Sequence, residues 1–340
     1  RYEICNIVGP DEFHVKYPDR EKPGIDNNAY TNIMASWTLN HAQRILDLLN
    51  EEDKNALRQE LHITDEEILD WKKISENLYV PFLENGIIAQ FEGYEDLKEL
   101  DWDGYKEKYG NIQRLDLIIE AENDSLNNYK VSKQADVLML FYLFSTEELE
   151  EIFKSLNYKF SPQMIPDNID YYIKRVSHGS TLSRIVHSWI LARWDRAKSW
   201  SLFNEALKSD IADIQGGTTA EGVHLGAMAG TVDIIQRCYT GIEMRDSVLW
   251  LNPKLPEDLN GLDFRIRYRG YWLNLQITKK ILSIKVAQGP CCSIELGFGD
   301  KIYRLEQGKF YKFSLASKNI EVIENGEKVP YQVAACCEMS

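Results

Sequence analysis

The 340-residue sequence holds six cysteines, at Cys5, Cys238 and in the adjacent pairs Cys291–Cys292 and Cys336–Cys337, and none forms a C-x-x-C or Cys/His ligand spacing. That lack excludes the common zinc frameworks, predicts no metal site and points to a reducing, cytoplasmic setting. No apolar run reaches the ~20 residues that a bilayer span needs. The longest, ADVLMLFYLF, covers only 135–144. The N-terminal RYEICNIVGPDEF has no apolar segment ending in small residues, so no signal peptide is expected, and the chain opens as though cut from a longer one. Positive charge is also scarce. The 39 Lys/Arg against 53 Asp/Glu leave a net charge of −14, which argues against nucleic acid or an anionic membrane as partner, because both demand a basic patch. The G-x-S-x-G elbow of serine hydrolases is missing, as are H-E-x-x-H and P-loop patterns.

What is present divides the chain in two. An apolar content of 44% is enough to bury a large core. Residues 1–245 carry 26 Lys/Arg against 42 Asp/Glu, whereas 246–340 carry 13 against 11. The periodicity changes at the same place. Helical spacing predicts helices over 31–50, 64–78, 133–144, 146–156 after the capping signal Ser145-Thr146-Glu147-Glu148, 182–193 and 219–240. After Ile242 the pattern alternates, as in FRIRYRGYWLNLQITKKILSIKVAQG at 264–289, which predicts an antiparallel β module. The expected domains are therefore 1–245 and 246–340.

Four stretches carry side chains suited to chemistry. VGPDEFH, Val8 to His14, puts Asp11 and Glu12 on a Gly-Pro turn beside an aromatic and a histidine, where partial desolvation suits a general acid; a solvated acidic turn is the plainer use. DNNAYTN follows at Asp26 to Asn32. VSKQADVLM places Lys133 and Gln134 at the start of an apolar helix, either as sugar-binding donors or as ordinary first-turn polar residues. SHGSTLSR, Ser177 to Arg184, gathers hydroxyls at a helix start, which makes an anion site or a simple N-cap. In GGTTAEGVHLGAMAG, Thr218 and Glu221 have capping-box spacing, and Gly222, Gly226 and Gly230 would share one helix stripe. His224 would lie one turn inside that helix, as an anion contact or a satisfied core residue.

In this order, VGPDEFH, DNNAYTN, KQADVLML, HGSTLS and GGTTAEGVHLGAMAGT resemble the catalytic signature of glycoside hydrolase family 65, and the likeness extends over most of 1–245. The resemblance implies a mainly α fold, the later part of an (α/α)6 barrel followed by a small antiparallel β-sandwich. It implies inverting phosphorolysis of an α-glucosyl disaccharide to β-glucose 1-phosphate and a released sugar. Glu12 would be the general acid, Lys133 and Gln134 would contact the glucosyl unit, and Ser180, Thr181 and His224 would bind phosphate in a pocket shaped by Gly217 and Thr218. The family's common Ser-Ser is Ser180-Thr181 here, which keeps both hydroxyls. The expected partners are a disaccharide and inorganic phosphate as co-substrate, with no other cofactor, no nucleic acid and no membrane, and a homodimer is the candidate assembly. An inverting α-glucoside hydrolase, with a second carboxylate about 6.5–9.5 Å from Glu12, and a catalytically silent carbohydrate-binding fragment are the alternatives. The stretch 91–124 resembles a bacterial subgroup of undefined substrate.

Overall fold

A computed structural model describes residues 1–193, 195–214, 217–245, 247–289, 293–324, 327–329 and 331. Gly216 and the paired cysteines lie outside the described residues, and Thr218 and Glu221 are described in backbone only. The chain forms two compact units. One comprises Arg1–Ile190 with Glu205–Ala227; the other comprises Leu191–Asn204 with the chain from Met228 onward, so it reaches back across position 245.

The helices run α1 Ala29–Leu48, α2 Glu51–Glu60, α3 Asp65–Ser75, α4 Trp102–Tyr109, α5 Leu115–Ala121, α6 Leu138–Leu143, α7 Thr146–Ser155, α8 Met164–Tyr172, α9 Thr181–Leu191, α10 Arg196–Lys208 and α11 Leu225–Asp233. Their starts follow local chemistry. The Asn28 side chain accepts from the Thr31 N–H to open α1, and α7 opens with the full Ser145/Glu148 capping box. Helix α2 buries none of its residues. It therefore has no apolar stripe for periodicity to detect, and rests instead on the Asn50 cap and an acidic first turn that complements the helix dipole. Helix α8 carries Pro166 in its first turn, where the missing N–H costs no intrahelical bond. Among the described residues no helix is long and apolar enough to cross a membrane.

Two predicted helices are shorter than their spacing implies. Of 133–144, only Leu138–Leu143 is α-helical. Upstream, the chain is held in another shape, with the Ser132 N–H donating to the Arg175 carbonyl and Ser132 bridging Val176. Of 219–240, Thr218–Glu221 is a 3₁₀ turn, α11 starts only at Leu225, and a π turn spans Ile234–Cys238. Gly217 and Gly222 have φ of 108° and 105°, which excludes a continuous right-handed helix. Gly222 thus leaves the expected glycine stripe, and His224 precedes α11 instead of lying inside it. The side chains of Thr218 and Glu221, which the expected capping box would join, lie outside the described residues.

Among the described residues the strand-rich part has ten strands: β1 Glu243–Arg245, β2 Val248–Trp250, β3 Gly261–Tyr268, β4 Tyr271–Thr278, β5 Ile281–Gln288, β6 Ser293–Phe298, β7 Lys301–Glu306, β8 Phe310–Ser314, β9 Ile320–Glu324 and β10 Glu327–Val329. They form two sheets, β1-β2-β6-β7 and β10-β9-β8-β5-β4-β3. Pairing is antiparallel except between β2 and β6, which run parallel. Alternate residues of β4 are buried, so Tyr271, Leu273, Leu275 and Ile277 face one core while Trp272 and Gln276 face out. Residues of both sheets share that core. Phe298 and Tyr303 of the first sheet meet Phe313 of the second at ring separations of 4.9 and 5.3 Å, which makes the pair a sandwich.

Candidate functional site

The turn that carries Glu12 is inserted into a buried polar floor. Gly9 sits where a Cβ would stand 2.5 Å from Asn28 Nδ2 and 3.0 Å from Asp136 Oδ2, so only glycine permits the approach. Asn28 Nδ2 donates to Asp136 Oδ2 at 3.0 Å. Gln90 Nε2 donates to Asp11 Oδ2 at 3.1 Å and to Asp136 Oδ2 at 3.4 Å. Asp11, His14, Asn28, Gln90 and Asp136 are all buried. Burial pushes the Asp136 carboxyl well above the usual range, the Asp11 charge adds to the rise, and the Asn28 and Gln90 amides oppose it. One amide thus bridges two buried carboxyl groups. His14 Nε2 faces the Tyr129 carbonyl at 2.9 Å and must carry the proton there. Its Nδ1 lies 3.4 Å from Asp11 Oδ2, within ion-pair distance but without a hydrogen bond.

On the same turn Phe13 packs into the apolar cluster of Leu100, Leu115, Ile119 and Val131. Asp11, Phe13 and His14 therefore point inward, while the Glu12 side chain is 59% exposed. The Glu12 backbone has φ of 71°, a left-handed conformation uncommon for a non-glycine residue and maintained by the buried neighbours on either side.

Lys133 joins this turn to the HGST segment by three bonds. Its N–H donates to Asp11 Oδ1 at 2.7 Å, its Nζ reaches Glu12 Oε2 at 2.6 Å, and its carbonyl accepts from the Gly179 N–H at 2.9 Å. Gly179 cannot carry a side chain either, because a Cβ would stand 2.8 Å from the Gln113 carbonyl and 3.1 Å from Lys133 Cγ. Gln134 donates its Nε2 to the Pro10 carbonyl at 2.7 Å and its N–H to Asp11 at 3.3 Å, so it braces the turn that carries Glu12.

Ser180 stands before α9, and its Oγ accepts from the Leu182 N–H at 3.3 Å; Thr181 is buried. The next contact links two motifs, because a Cβ on Gly226 would meet Leu182 Cδ2 at 3.2 Å. The starts of α9 and α11 are therefore neighbours. Buried Arg184 donates its Nε to Glu205 Oε2 at 3.1 Å.

Two acids absent from the sequence expectations organise the Gly-rich loop. Asp213 accepts the Gly217 N–H at 2.8 and 2.9 Å, the Thr219 N–H at 3.3 Å and the Thr219 hydroxyl at 3.2 Å. Asp210 takes the His224 N–H at 3.0 Å and faces Nδ1 at 2.6 Å. The His224 hydrogen bonds hold the Asp210 carboxyl below the usual range. An acid just before a Gly-rich turn was a visible cue for Asp213. Gln90 had none, since it reaches Asp11 only through the fold.

Two family models match the chain: the glycosyl hydrolase family 65 central catalytic domain over residues 1–233, and the family's C-terminal domain over 242–305. An uncharacterized glycosyl hydrolase of Mycobacterium tuberculosis is 50% identical over 308 residues, covering 91% of this chain and 23% of the relative. A trehalose 6-phosphate phosphorylase of Lactococcus lactis subsp. lactis is 40% identical over 273 residues, covering 79% and 34%. The chain thus spans about a quarter to a third of the length of these relatives. A solved candidate kojibiose phosphorylase from the human microbiome shares the fold, with a TM-score of 0.72 at 21% identity over 93% of this chain and 42% of the other.

Proposed function

Since this chain belongs to glycosyl hydrolase family 65, we propose that it supplies the acid and anion-binding side chains of an inverting disaccharide phosphorylase. The substrate is an α-glucosyl disaccharide, phosphate is the co-substrate, no further cofactor takes part, and the setting is the cytoplasm. The helical part is the later portion of an (α/α)6 barrel. What carries the proposal is the triple use of Lys133, which ties the exposed Glu12 carboxyl, the buried Asp11 and the Gly179-Ser180-Thr181 helix start into one place. Phosphorylases among the relatives support the same direction.

In this proposal Glu12 gives its proton to the glycosidic oxygen as the anomeric carbon–oxygen bond breaks. A phosphate oxygen bonds the anomeric carbon from the opposite face, inverting it, and the phosphate proton restores Glu12. Because phosphate is already anionic, it needs donors around it and no catalytic base. The Ser180 and Thr181 hydroxyls and His224 are donors of that kind. Lys133 and Gln134 contact the glucosyl unit, while Gly217 and Thr218 shape the loop beside the anion.

The decisive measurement is phosphate dependence. The intact protein should cleave trehalose, kojibiose, nigerose or maltose only with phosphate, and NMR should identify β-glucose 1-phosphate. Thr181→Glu, which introduces a negative charge beside the anion, should abolish phosphorolysis. Equal cleavage without phosphate, giving free glucose, would establish the hydrolase alternative.

A further inference from the structure

His224 lies outside any helix, just before α11, so its helix cannot fix the ring. Its position is set from elsewhere in the sequence. Asp210, which follows the end of α10, gives one carboxylate oxygen to the His224 backbone N–H and the other to the ring Nδ1. Two bonds from one rigid, planar group define both the main-chain position and the ring rotation. The carboxylate has only 10% of its side chain exposed and the imidazole 25%, so water competes little for either bond.

We infer that Asp210 is the positioning residue that sets His224 for anion binding. Since a carboxylate only accepts, Nδ1 donates to Asp210, and His224 holds the anion as the doubly protonated ring, through Nε2–H. Asp213, three residues on, holds the Gly217 and Thr219 amides in the same manner. The two acids thereby clamp both ends of the loop whose far end presents His224 just ahead of α11. The assignment of phosphate as the anion rests on the phosphorylase proposal; the Asp210–His224 pairing does not.

The test uses the intact protein with Asp210→Asn, which is isosteric and keeps one acceptor oxygen, and Asp210→Ala, which keeps none. Inorganic phosphate is titrated calorimetrically, and the protonation of the His224 ring nitrogens is followed by NMR. Loss of a charge-assisted bond predicts phosphate binding weakened roughly 10-fold in Asp210→Ala and less in Asp210→Asn. The Nδ1–H signal should be lost in Asp210→Ala, with the disaccharide KM and the unfolding temperature unchanged in Asp210→Asn. Phosphate binding as tight in both variants as in the wild type overturns the inference, as does an equal loss of affinity for both substrates, which marks a general brace. No phosphate binding by the wild type overturns it too. By contrast, wild-type turnover that needs no phosphate while phosphate still binds defeats the phosphorylase proposal and leaves the Asp210 assignment standing.

Discussion

The floor beneath Glu12 and the loop before α11 both present polar groups to a candidate substrate, but they are stabilised in opposite ways. Around Glu12, Asp11, His14, Asn28, Gln90 and Asp136 are buried and connected by bonds between residues as much as 123 positions apart. From Asp213 to His224 the bonds are short-range, spanning 4 to 14 positions, and Asp213 and Gly217 are exposed. A buried network admits little change, because any member left unpaired pays its full desolvation cost. An exposed loop can be reworked at a cost confined to itself. The position of Glu12 is thus a property of the core, whereas the loop before α11 depends on two local carboxylate clamps.

Three substitutions sharpen that contrast. The largest effect is expected from Glu12→Gln, which keeps the shape but removes the transferable proton. Turnover should fall ~10²–10⁴-fold with phosphate affinity unchanged, and near-normal turnover would exclude Glu12 as the acid.

Asp136→Asn tests the floor through pH. A carboxyl whose native pKa is raised keeps its proton in the fold while the unfolded chain releases it, so stability is fully present below the ordinary aspartate range and declines as pH rises toward the native value. Asparagine does not titrate. The variant should therefore gain on the wild type by up to about 1.4 kcal/mol per pH unit above pH ~4, measured by urea unfolding between pH 4 and 8. A pH-independent difference would show that Asp136 is not a protonated buried acid.

The smallest effect belongs to Asp213→Ala. Global stability should stay within about 0.5 kcal/mol of the wild type, while hydrogen exchange quickens at the Gly217 and Thr219 amides. A large loss of global stability would mean that the loop is part of the core after all.

Much of this was legible beforehand because it depends on near neighbours. The alternation from 264 onward gave the sheets their buried faces, Ser145 and Glu148 gave α7 its start, and Gly9-Pro10 put Asp11 and Glu12 on a turn, though only the fold buries the first and exposes the second. Other features were misjudged for physical reasons. The apolar run at 133–144 reads as one helix, but Asp11 claims the N–H groups of Lys133 and Gln134, and the helix waits until Leu138. The Gly-rich run reads as helical through Gly222, yet its left-handed glycines break it and Asp213 holds the break.

By itself, then, the sequence determined the helical and strand-rich regions and the local caps, since each follows from residue type at short spacing, while Glu12 became the candidate acid through the family resemblance. Tertiary structure alone decided that Gln90 bridges Asp11 and Asp136, that Lys133 joins the acid turn to Gly179, and that Asp210 rather than a helix holds His224. The reason is that the strength of a polar contact depends on how far water is excluded from it and on which distant group the fold brings within 3 Å. Neither quantity is written in the spacing of residues along the chain.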